Sequence, residues 1–231
     1  MKKHGFTLAE VLITLGIIGV VSALVIPTFT AQTQNAKIGP RVGKAISSFE
    51  QATKALIEEA GADTLSGSTV DNLALSNAAG TAAEVSNFVN ALGTHLKGGT
   101  TTALSGYTAT YASADGFTYN FGTAGTIGTN SHPHRNNYIN TVMVDVNGPA
   151  EPNRDARDRF YFSVADDGSL VAWGSAGIAL SGTANPGART KKWSDAGVCQ
   201  ADHKPGTTGS PAGAMFCAGH VVENGMKALY K

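Results

Sequence analysis

The sequence predicts an α+β fold: a long N-terminal helix, membrane-spanning in its first half and amphipathic in its second, packed on a β-rich antiparallel head. Three observations carry this. Val11 to Ile26 contains no charged residue and reads as one apolar segment. Apolar residues then recur every three or four positions up to about Gly61. After Gly99 the period shortens to two, among Thr, Gly and aromatic residues, as in half-buried strands.

Composition narrows the function class. The chain has 231 residues, room for one domain and an additional segment. Lys plus Arg and Asp plus Glu both number 17, so net charge is zero and no electrostatic footprint for nucleic acid exists. Only 15% of residues are charged, against a usual quarter, and the 28 glycines lie largely in a polar, uncharged body. That composition leans toward a β-rich extracellular domain rather than a cytosolic enzyme.

From Phe6 to Ile26 a helix rises about 32 Å, enough to cross a hydrocarbon core of about 30 Å. Lys2 and Lys3 precede it, so the positive-inside rule leaves the N-terminus cytoplasmic and the remainder outside. Gly16 and Gly19 would let neighbouring helices approach, and Pro27 is expected to kink or locally melt the helix. A secretory signal peptide is the competing reading, with Val21-Ser22-Ala23 as a cleavage site. Glu10 argues against it, because a carboxylate interrupts the front of the apolar core. Near a bilayer centre such a group costs roughly 2.5–3.5 kcal/mol, and less toward a helix end.

Gly5-Phe6-Thr7-Leu8-Ala9-Glu10, followed by an apolar helix and Pro27, resembles the leader and first helix of type IV pilins and type II secretion pseudopilins. The resemblance is carried by the first thirty or so residues. It implies a leader over residues 1–5, a transmembrane and assembly helix over 6–27, an amphipathic continuation over 28–61 and a globular β-rich head over 62–231. It also implies cleavage of the Gly5–Phe6 bond by a prepilin peptidase and N-methylation of Phe6. Glu10 and Pro27 become assembly residues, with Glu10 pairing in the filament with the α-amino group of a neighbour's Phe6. A carboxylate costly in lipid is then neutralised on polymerisation, which drives assembly. The alternative is a Glu10 that merely snorkels to the headgroups. Implied partners are other pilin or pseudopilin subunits, the peptidase, an inner-membrane assembly platform and the lipid bilayer. The implied location is the cytoplasmic membrane, single-pass, and afterwards the filament.

Past Pro27, Ile38, Val42, Ile46, Phe49, Ala52 and Leu56 form one apolar stripe, with Lys44, Ser47, Glu50, Gln51 and Lys54 on the other face. Gly39-Pro40 is expected to bend this helix, and Gly61 to cap its end near Ala60. A short helix fits Thr81–Leu96, with Val85, Phe88, Val89 and Leu92 on one face and Gly93 as terminator. Strands are expected around Tyr107 to Phe121, with turns at Asp115-Gly116 and Gly122. Further strands fit Thr141–Val146, Phe160–Val164 and Leu170–Trp173, the last two joined by a turn at Asp166–Ser169. The tail from Val198 fits a hairpin or a short helix.

Cys199 and Cys217 face an oxidising compartment if the head is exported, and a lone pair there most simply forms one disulfide. Two unrelated buried thiols are the alternative. Zinc lacks ligands at familiar spacing, since only His203 and His220 lie near. Asp145 to Phe160, DVNGPAEPNRDARDRF, resembles a segment frequent in pilin-like proteins. Asp145, Asn147, Asp155 and Asp158 are weak candidates for calcium, but Pro149 and the missing terminal glutamate depart from an EF-hand, and an Asx-turn loop reads better. His132-Pro133-His134 is an equally weak metal candidate. No other cofactor is expected. No catalytic motif appears, neither a nucleophile elbow nor a zincin helix nor a phosphate loop. The expected function is therefore structural: a type II secretion pseudopilin, alternatively a (minor) pilin of a surface fibre or DNA-uptake pilus. A membrane-anchored or secreted enzyme or binding domain is the distant alternative.

Overall fold

A computed structural model of the chain describes residues 7–65, 82–122, 131–132, 135–151, 153–175, 199 and 217–225. Helix α1 (Leu8–Glu59) is 52 residues long and runs through Pro27, Gly39 and Pro40 as a single element. Proline offers no N–H to the carbonyl four residues back, so Ala23 and Ala36 lose their usual donors, yet the helix does not end at either point. It ends in a Schellman motif. The N–H of Gly61 donates to the Glu58 carbonyl and that of Ala62 to the Ile57 carbonyl. Gly61 adopts φ 60°, the left-handed conformation this motif needs and glycine reaches at low cost.

Helix α2 (Ala82–His95) buries Val85, Phe88, Val89 and Leu92, the face expected from their spacing. Gly93 does not terminate it. A Cβ at Gly93 would come within 3.0 Å of the Tyr111 ring, so glycine here permits α2 to lie close to the sheet.

The sheet comprises β1 (Gly98–Thr101), β2 (Tyr107–Ser113), β3 (Thr118–Gly122), β4 (Ser131–His132), β5 (Arg135–Asp145), β6 (Arg159–Ala165) and β7 (Leu170–Ala172). The order is β1-β2-β3-β5-β6-β7 with every pairing antiparallel, and β4 pairs with the start of β5. A short helix α3 (Cys217–Glu223) lies against β6 and β7, so this part of the tail is helical.

The core sits between one face of this sheet and the two long helices. Val42, Ala45, Phe49, Ala52 and Leu56 of α1 are buried at alternating steps of three and four. Phe49 meets the rings of Tyr119 at 5.5 Å and Phe121 at 6.3 Å, and Phe88 meets Phe121 edge-on at 6.0 Å. Polar contacts fix α1 along its axis. Tyr119 Oη donates to the Ala45 carbonyl at 2.9 Å, and Thr53 Oγ1 donates to the Gly168 carbonyl at 2.6 Å. The Leu170 N–H donates to Glu50 Oε1 at 3.1 Å. Gly168 has φ 80° and stands so close to Thr53 that a Cβ would meet Oγ1 at 2.9 Å. The β6–β7 turn is thus moulded to the helix.

Candidate functional site

Leu8 to Ile26 contrasts with the rest of α1. This stretch of 19 residues is long and apolar enough to cross a membrane, and none of it is buried in the chain. Twelve large aliphatic side chains, from Leu8 to Ile26, are 43–81% exposed. Burying such a side chain fully is worth about 1.5–3 kcal/mol, so leaving all of them in water forgoes on the order of 10–20 kcal/mol. An apolar surface of this extent suits lipid or other helices around it rather than water. Gly16 and Gly19 belong to the same surface. A Cβ at either would meet nothing within 4 Å among the described residues, so none of these demands glycine there. Small residues on an apolar helix are what allow another helix to come close.

Glu10 is held at the start of this segment. Thr7 is the N-cap of α1, extended at φ −77° and ψ 151°. Its N–H donates to Glu10 Oε2 at 2.8 Å and its hydroxyl reaches the same oxygen at 2.8 Å, while the Glu10 N–H donates to Thr7 Oγ1 at 3.3 Å. This is a capping box: two otherwise orphaned N–H groups of the first turn are satisfied by two side chains. Glu10 therefore has a partner within its own chain. Thr7 was not among the residues singled out by sequence, although Thr7-Leu8-Ala9-Glu10 has the T-x-x-E spacing of such a box. Gly5 and Phe6 lie outside the described residues, as does the side chain of Pro27.

The segment Asp145–Asp158 is a stapled loop between β5 and β6. Asp145 is buried and accepts from Arg159 Nε at 3.2 Å and from the Asn147 N–H at 3.2 Å. Asp158 accepts the N–H groups of Asn153 and Arg154, both at 2.6 Å, and Asp155 accepts from Tyr161 Oη at 3.0 Å. Asn147 Nδ2 donates to the Ala150 and Glu151 carbonyls, while its Oδ1 is buried without a partner. The four oxygen-bearing residues considered for calcium thus share one loop, and their carboxylates are engaged by protein donors. Among the described residues no three His, Cys, Asp or Glu side chains are grouped to hold a metal. The side chains of His132, Pro133 and His134, and His203 as a whole, lie outside those residues. Burial pushes Asp145 up to about 6 although the Arg159 hydrogen bond opposes it, and burial raises Asp155 as well.

Cys199 and Cys217 form a disulfide that ties the tail to the first residue of α3. Gly219 of α3 donates its N–H to the Trp173 carbonyl at 2.8 Å, and Trp173 in turn stacks near Tyr161 at 5.8 Å between ring centroids.

Taken together, an α+β head with an antiparallel sheet is carried on a helix whose first half only a membrane or neighbouring helices can cover. One apolar N-terminal helix on such a head fits a membrane-anchored subunit and is consistent with a pilin-like fold. Residues 1–26 match the prokaryotic N-terminal methylation motif, the signature of type IV pilins and pseudopilins. That motif marks structural proteins rather than enzymes, and it implies processing by a prepilin peptidase and assembly with other pilin-type subunits. No curated protein and no solved structure matches the chain.

Proposed function

We propose that the chain is a type II secretion pseudopilin. Residues 1–5 are removed by prepilin peptidase at the Gly5–Phe6 bond and Phe6 is N-methylated. Residues 6–27 cross the cytoplasmic membrane once, N-terminus inside and head outside. An inner-membrane assembly platform then polymerises the subunit through its first helix, with residues 28–61 continuing that helix into the head of residues 62–231. The observation that supports this best is the uncovered first half of α1 with a single carboxylate near its start. In a filament Glu10 exchanges its bonds to Thr7 for the α-amino group of a neighbour's Phe6. The pairing removes an uncompensated charge from an apolar environment. A pilus subunit would use the same helix in the same way. The Asp145–Phe160 loop, with its D-x-N-G turn, favours the secretion reading. The role needs no cofactor.

Mass spectrometry of membrane-extracted protein tests the processing step: a methylated Phe6 N-terminus is expected, and an N-terminus at Leu24 would overturn the reading. Glu10→Leu tests the assembly step. The variant should insert and be cleaved normally yet fail to enter filaments in shear or cross-linking assays. Wild-type polymer from Glu10→Leu would sink the charge-pairing role. Loss of exoprotein secretion without loss of surface fibres on deletion would separate the pseudopilin from the pilus subunit.

A further inference from the structure

The first turn of α1 is exposed at Thr7, Leu8, Ala9 and Glu10, so it is not packed against the described part of the head. What sets the helix start is therefore local, and the described local device is the Thr7–Glu10 capping box. The bond expected to be cut lies immediately upstream, between Gly5 and Phe6, with Phe6 the residue preceding the cap. We propose that Thr7 is a positioning residue for processing: by capping α1 it fixes the helix start at Leu8 and disfavours a helix that would take in the Gly5–Phe6 bond. The proposal rests on the processing reading above and adds a determinant to it.

The competing helix start gives the proposal its force. N-cap positions favour Ser, Thr, Asp, Asn and also Gly. Upstream of Thr7, neither Phe6 nor His4 has that character, whereas Gly5 does. Without the Thr7 cap, the next competent start is Gly5, which would make Phe6 the first helical residue and draw the scissile bond into the first turn. Clefts that bind peptides through main-chain hydrogen bonds need those groups free, and a helix has already used them. Only the fraction of molecules with the bond outside the helix would then be cleaved, so the apparent rate falls with that fraction. The box is also separable from the charge of Glu10, because Gln at the same position completes a capping box equally well.

The test uses the full-length precursor in detergent with prepilin peptidase, reading kcat/KM and the mass of the product, so that a membrane-insertion defect does not enter. Thr7→Val, similar in shape but unable to cap, should be cleaved more slowly, by up to about fivefold, the change in the ratio of helix starts that losing a typical cap implies. Thr7→Ser and Thr7→Asn, which cap well, and Glu10→Gln, which keeps the box without the charge, should stay within about twofold of wild type. Wild-type rates for Thr7→Val would overturn the proposal. So would a Thr7→Asn variant as slow as Thr7→Val, since the peptidase would then be reading the threonine side chain itself. A slow Glu10→Gln would assign the effect to charge and overturn it equally. Should the wild-type chain not be cut at Gly5–Phe6, the processing reading falls and takes the proposal with it. Normal wild-type cleavage with an unaffected Thr7→Val removes the cap's role alone.

Discussion

The two halves of α1 have the same backbone and opposite needs. From Val42 to Leu56 the helix buries one stripe, and its ends of contact are set by hydrogen bonds to Tyr119, Gly168 and Leu170. From Leu8 to Ile26 it is apolar but for Glu10 and a few hydroxyls, and none of the described residues covers it. Helical propensity and backbone bonding serve both halves alike. Tertiary packing stabilises only the second, so the first half depends on whatever surrounds it. The difference separates folding from assembly: changes in one half should be read in the stability of the head, changes in the other in its company.

Substitutions in the two halves test this division most severely. Phe49→Ala removes a fully buried ring from the helix–sheet contact and should cost the head about 3–5 kcal/mol. Leu15→Ala, in the exposed half, should leave head stability within about 0.5 kcal/mol. Urea unfolding of both variants in detergent, followed by tryptophan fluorescence, decides; equal effects would erase the distinction. Next in size is the disulfide. Cys199→Ser or Cys217→Ser opens a link with a sequence separation of 18 and should cost about 3 kcal/mol in the chain-entropy model. Alkylation of the exported protein without reductant should find no free thiol.

A smaller effect follows from Asp145. Burial raises its folded pKa to about 6, above the ordinary carboxylate value, so the native head holds the proton more tightly than the unfolded chain. The resulting stabilisation is present below about pH 4 and is lost as pH rises through about 6. Asp155, also raised by burial, acts in the same direction. The head should therefore be more stable at pH 4.5 than at pH 7.5, by on the order of 1–3 kcal/mol. Asp145→Asn should flatten that dependence, and an unchanged slope would assign it elsewhere. The smallest effect on the head belongs to Gly19→Leu. With no atom of the chain within 4 Å of the new Cβ, head stability should move by less than about 0.5 kcal/mol, whereas cross-linking between neighbouring first helices should fall.

Local patterns determined much of this molecule in the sequence itself. The uninterrupted apolar run fixed a helix that must be covered from outside, and Gly61 marked where the helix stops, because a left-handed residue is required there. The spacing of Val85, Phe88, Val89 and Leu92 determined the buried face of α2, and short apolar runs between turn residues placed β2, β3, β6, β7 and the second half of β5, whereas β4 and the start of β5 at Arg135 lie outside the expected strands. These features depend on neighbours in the chain, so the chain states them. The Thr7–Glu10 box is equally local, since T-x-x-E spacing states it. Other features arose only when distant segments met. Gly93 looked like a helix end and is instead the gap filled by the Tyr111 ring, while Gly168 makes room for Thr53. Asp145, read as part of an Asx-turn loop, is a buried partner of Arg159, because β5 and β6 pair those two residues in register. Pro27 and Pro40 each remove a helical donor, and α1 continues through both as one element. Close approach, burial and strand register are properties of pairs far apart in the chain, and no local pattern carries them.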